Sequence, residues 1–139
     1  MRFVIPGKPF GKQRPRFNRA TGSVHTPKET VSFERVVGQY AMTAGVPLIA
    51  EGGVKLIVTA VFEPAQSWSK KKRAAHLWGP HTQKPDLDNI VKAVKDGLER
   101  IAYANDSQVA EIISRKMWGS EAETIVEVRP LKTFSLRAY

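Results

Sequence analysis

An α+β fold, one small domain in which a mixed β-sheet carries two main helices in the order β-α-β-α-β-β, is what this 139-residue sequence predicts. Three observations predict it. Residues 54–62 are a β-branched apolar run; Leu87, Ile90, Val91, Val94, Leu98 and Ile101 recur at the spacing of one apolar helix face; and two strand-like runs, 108–118 and 123–130, follow that helix. A chain of this length forms one domain that buries roughly 70% of its unfolded surface.

In chain order, residues 2–5 read as a short strand. The breaker-rich, basic stretch from Pro6 to Arg16 is a loop. Thr26-Pro27 resembles a helix start, and Val31, Phe33, Val36, Val37 and Tyr40 carry a helical pattern to about Ala44, where Gly45 ends it. In the strand at 54–62, Val54, Leu56, Val58 and Phe62 share the buried face. Ser69 caps a short helix whose first turn holds Lys70, Lys71, Lys72 and Arg73, cations placed against the helix dipole. Asp86 is a suitable N-cap for the second main helix, which the apolar stripe carries to about Ala102. The two last strands, joined by Gly119-Ser120-Glu121-Ala122, read as a hairpin, and residues 131–139 show no strong pattern.

Composition narrows the function. The 22 Lys and Arg against 13 Asp and Glu leave a net charge of +9, the footprint of a polyanion binder, because neutralising phosphates releases condensed counterions. There is no cysteine, so disulfides, thiolate nucleophiles and Cys-rich zinc sites are excluded, and a reducing cytoplasm fits. Proline at position 6 interrupts the N-terminus before a signal-peptide core could form, and no apolar run approaches the ~20 residues of a membrane span. His25, His76 and His81 lack zinc-ligand spacing, which points to surface roles. Gly7-x-x-x-Gly11-Lys12 is too short for a phosphate loop. Trp68, Trp78 and Trp118 are candidates for packing first and for stacking on unpaired bases second.

The chemistry concentrates in Pro85-Asp86-Leu87-Asp88-Asn89, with Lys92 one turn on and Asp106 beyond the helix. Asp88 and Lys92 are i, i+4 neighbours on one helix face. Hard cations such as Mg²⁺ take carboxylate oxygens, keep several waters and add substrate phosphate oxygens, so three aspartates suit that ion and a lysine beside them suits developing phosphate charge. The same residues also read as a helix cap, a first-turn acid, a surface ion pair and a turn residue. Spacing alone leaves both readings open.

These residues resemble the RusA-type Holliday junction resolvases, small endonucleases of bacteria and their prophages. The resemblance rests on Asp86-Leu87-Asp88-Asn89 with Lys92 and on Asn105-Asp106-Ser107-Gln108-Val109. It extends to Pro6-Gly7-Lys8-Pro9, Arg14-Pro15-Arg16-Phe17, His25-Thr26-Pro27-Lys28 and Trp68-Ser69-Lys70-Lys71. It implies a cytoplasmic, Mg²⁺-dependent homodimer that nicks four-way junction DNA symmetrically on two strands, with Asp86, Asp88 and Asp106 as the metal-binding acids and Lys92 also catalytic. Lys12, Arg14, Arg16, Lys70, Lys71, Lys72, Arg73 and Lys84 are the candidate DNA contacts. Two departures stand out: some members carry arginines where this chain has Gln83-Lys84-Pro85, and many have an aspartate where it has Asn105. A non-catalytic junction-binding protein and a metal-dependent nucleotide hydrolase are the alternatives.

Overall fold

The computed structural model describes residues 1–134 and 136, so most of the patternless tail beyond 134 lies outside the described residues. Strand β1 (Arg2–Pro6) is followed by a small pair, β2 (Arg16–Phe17) and β3 (Val24–His25), then helix α1 (Lys28–Thr43) and strand β4 (Gly53–Phe62). Helices α2 (Lys70–His76) and α3 (Leu87–Leu98) come next, and a 3₁₀ turn (Asp106–Gln108) leads into β5 (Val109–Trp118) and β6 (Glu123–Leu131). This is the α+β architecture expected, with three helices and a mixed four-stranded sheet.

The sheet order is β1-β6-β4-β5, with β4 parallel to β5 and antiparallel to β6. The hairpin expected between the last two strands is therefore wrong: β4 lies between β5 and β6. Residues 119–122 carry the chain across the end of β4 instead. Gly119 donates its N–H to the Phe62 carbonyl at 2.9 Å, and a Cβ on it would stand 2.4 Å from Val61 Cγ1, so only glycine passes this closely. The parallel β4–β5 pair needs a crossover, which α2 and α3 supply.

Every second residue of β4 from Val54 to Phe62 is buried, and these side chains form one core with Phe3 and Ile5 of β1, Val126 and Val128 of β6, Val37 and Ala41 of α1, and Ile90, Val91, Val94 and Leu98 of α3. Burying each Val, Leu or Ile contributes roughly 1.5–3 kcal/mol. The helices touch at two glycines. A Cβ on Gly97 would meet Val37 Cβ at 2.8 Å and the Glu34 carbonyl oxygen at 2.9 Å, and one on Gly38 would meet Ile101 Cδ1 at 2.5 Å.

One helix end differs from expectation. Helix α1 stops as expected, with Gly45 in the left-handed region at φ 76° and its N–H on the Met42 carbonyl. Helix α3, however, ends at Leu98, not near Ala102. Ile101 still reaches the core, carried there by a turn in which Arg100 takes φ 70°. The burial that made it look helical is satisfied without helix. At the other end Asp86 occupies the N-cap position, but its side chain makes no capping hydrogen bond.

Candidate active site

The start of α3 is held from three directions. The backbone N–H of Lys12 donates to the Asn89 carbonyl at 2.9 Å, and Gly11 lies so flush against Pro85 that a Cβ would stand 2.7 Å from the proline Cβ. Thr30, fully buried, accepts the Gln13 N–H at 3.2 Å, fixing the basic N-terminal loop to α1. From β5, Lys116 Nζ donates to the Gln83 and Pro85 carbonyls at 2.6 and 2.9 Å. The Asp86 backbone is thus placed by contacts that leave its carboxylate without a hydrogen bond among the described residues. Asp88 accepts only the N–H of its neighbour Asn89, at 3.0 Å.

Asp106 is placed by a separate device. Asn105 accepts the Ser107 N–H at 2.9 Å while Gln108 accepts the Asn105 N–H at 2.8 Å, a reciprocal capping box that fixes the 3₁₀ turn. Gln108 also donates to the Ile49 and Gly52 carbonyls at 3.0 and 3.1 Å. Tyr103, fully buried, donates its hydroxyl to the Lys95 carbonyl and ties this turn to the end of α3; burial, then the nearby acids, pushes its pKa well up. Asn105 is therefore a structural cap.

Asp88, Lys92 and Asp106 line one open groove of about 630 Å³ between α3 and the edge strand β5, with Leu87, Val91 and Ile112 as its apolar floor. Lys95 reaches Asp106 at 3.9 Å. Asp86 lines a neighbouring depression with Lys8, Lys12 and Lys84. Among the described residues no three His, Cys, Asp or Glu side chains converge as a ready-made cation site. Two carboxylates on one groove still fit Mg²⁺, which is commonly held by one or two carboxylates together with waters and substrate phosphate oxygens.

The expected DNA-contacting cations divide. Lys12 is engaged by Glu34 at 3.0 Å and by Asp96 at 2.5 Å, and Arg73 donates to the Trp68 and Ala65 carbonyls at 3.2 and 2.9 Å. Lys72 sits 4.2 Å above the Trp68 ring. Lys92, Arg14, Arg16, Lys70, Lys71 and Lys84 are exposed and make no ion pair among the described residues. His81, expected at the surface, is buried, its ring stacked on Phe62 at 3.8 Å. Burial, then the charge of Lys116, lowers its pKa. Trp118 is buried and Trp68 partly so, whereas Trp78 is exposed.

Sequence reasoning missed Lys116 and Gln108, which position the two acid-bearing segments. A signal existed for Lys116: with Ser114 it puts polar side chains on the helix-facing side of a strand, which is unusual where no polar partner waits.

The profile of the family described as Endodeoxyribonuclease RusA matches residues 6–129. The chain is also 32% identical over 136 residues to the uncharacterized protein YqaN of Bacillus subtilis (strain 168), covering 93% of this chain and 95% of that protein. The match spans the basic loop, both acid-bearing segments, β4, β5 and most of β6, and begins at the last residue of β1. This chain belongs to the RusA endodeoxyribonuclease family.

Proposed function

We propose that this protein is a Mg²⁺-dependent endonuclease that resolves four-way DNA junctions in the bacterial cytoplasm by paired symmetric nicks. The observation that carries the reading is the groove shared by Asp88, Lys92 and Asp106, whose acids hold no hydrogen bond that would explain them as structural. Asp88 and Asp106 would hold the cation from the groove they share, with Asp86 in the adjoining depression as the third acid. When bound, Mg²⁺ would polarise the scissile phosphate and lower the pKa of a bound water.

The chain's own residues supply the rest. Lys92, on the same helix face as Asp88, offers a preorganised positive charge to the oxygen on which negative charge develops. Lys84, Arg14, Arg16, Lys70 and Lys71, exposed and unpaired among the described residues, neutralise backbone phosphates of the junction arms. Lys12, Lys72 and Arg73 act through the loops and rings they hold. A homodimer would present two such sites about a two-fold axis, matching the symmetry of a four-way junction and its paired cuts.

The test is incubation of the protein with a mobile four-way junction and a linear duplex, with and without Mg²⁺. Symmetric nicking of the junction only with Mg²⁺ is the expected result. Tight junction binding with no nicking in any divalent metal would leave a non-catalytic junction-binding protein in its place.

A further inference from the structure

A second cleft adjoins the depression that holds Asp86 and has a different chemistry. It encloses about 340 Å³, within the range of small-molecule sites, and Phe62, Trp68, His81 and Trp118 line it while Lys8 and Lys84 stand on its rim. Trp68 and Trp118 lie 4.8 Å apart at 50°, His76 lies 4.8 Å from Trp68 at 57°, and Lys72 Nζ sits 4.2 Å from the centre of the Trp68 ring. His81 is 5% exposed and its Nδ1 has no hydrogen-bond partner. A buried polar atom left in that state is uncommon and is satisfied by a ligand or water.

The cleft does not stand alone. Lys8 and Lys84 also line the depression that holds Asp86, and that depression shares Lys12 and Asn89 with a third, lined by Arg14 and Lys92. The three hollows form one cationic path across the start of α3, beginning in aromatic rings and ending at the acid groove. Glu63 is the one acid on the lining of the first among the described residues. Cations along a path with aromatic side chains at one end are the pattern by which proteins follow a single nucleic-acid strand.

We propose that the aromatic cleft receives one unpaired nucleobase of the strand whose phosphates run over Lys8 and Lys84 toward Asp86. A base inside a duplex has both faces covered by its neighbours, so a recessed cleft of this kind admits only a splayed-out one. A base seated there stacks on Trp68 and brings hydrogen-bonding edges to His81. The positive rim favours a nucleotide over a second copy of this basic chain. The inference rests on the nucleic-acid reading above and adds a base-binding subsite to it.

The test needs no cleavage. A single-stranded octanucleotide and its abasic analogue, with the same sugar-phosphate chain and no bases, are titrated in EDTA while tryptophan fluorescence is followed. The base-bearing strand should bind about tenfold tighter and quench the fluorescence. Trp68→Leu should abolish that preference and Trp68→Phe should restore most of it, with both variants checked for native circular dichroism. Equal affinity for the two strands in the parent protein, or a preference that survives in folded Trp68→Leu, overturns the cleft assignment. If the parent shows no base preference yet nicks junctions, only this inference fails. If it neither binds nor nicks, the functional reading fails with it.

Discussion

The two ends of α3 are built on opposite terms. At the C-terminal end, Gly97 lets α1 approach to contact distance, Lys12 bridges Asp96 and Glu34, and the Lys95 carbonyl accepts the Tyr103 hydroxyl. Polar groups there are paired and apolar ones packed. At the N-terminal end, Asp86 has no capping bond, Asp88 bonds only its neighbour's N–H, and Lys92 has no partner among the described residues. A carboxylate near a helix N-terminus is favoured by the dipole even without a hydrogen bond, so the charges there cost little while they await a substrate. One helix thus separates stability from chemistry along its length.

Substitutions at the two ends should fail in different ways. Lys92→Met should slow junction nicking by about a hundredfold, the loss of one electrostatic donor, with thermal unfolding unchanged. Gly97→Ala should do the reverse. Its methyl meets backbone and a Cβ that cannot swing away, so a net loss of about 2 kcal/mol in urea unfolding is expected after the better helix propensity of alanine offsets part of the strain. The nicking rate per folded molecule should hold.

Lys12→Met probes the paired end again. It leaves Asp96 and Glu34 without their shared cation and should cost about 1–2 kcal/mol, less than a fully buried pair because these side chains are 19–25% exposed. Burial alone would lower the Lys12 pKa, but hydrogen bonds and attraction from Asp96 and Glu34 hold it above its ordinary 10.5. A raised folded-state pKa gives stabilisation that is complete below the unfolded value and is lost as pH climbs through the folded one. The stability gap between parent and Lys12→Met should therefore stay constant from pH 7 to about 10 and shrink in more alkaline solution. Gln108→Ala should destabilise the fold less than Gly97→Ala, by about 1 kcal/mol from the lost capping box. It should still lower nicking, since it frees the turn that carries Asp106.

The same division explains what could be read in advance. The apolar stripe of α3 announces itself because Ile90, Val94 and Leu98 must be buried, and the acids at its start stand out because one N-cap would suffice where Asp86, Asp88 and Lys92 occur together. Asp106 reaches the groove because β5 runs parallel beside β4, on the side of α3. The order of strands was not legible. A four-residue link with Gly119 looks like a hairpin turn, and nothing local reveals that it steps over β4. Nor does charge pattern separate Lys12, held by two acids, from Arg14, held by none among the described residues. Pairing is a property of the assembled chain, and both cations come from one basic loop.

The most direct measurement is the Mg²⁺-dependent nicking rate of Asp88→Asn on a four-way junction, with its unfolding curve recorded beside it. The substitution keeps the shape and the acceptor for the Asn89 N–H and removes only the charge. A loss of about a thousandfold or more is expected, with stability within about 0.5 kcal/mol of the parent. Nicking at the parental rate by a normally folded Asp88→Asn would contradict it.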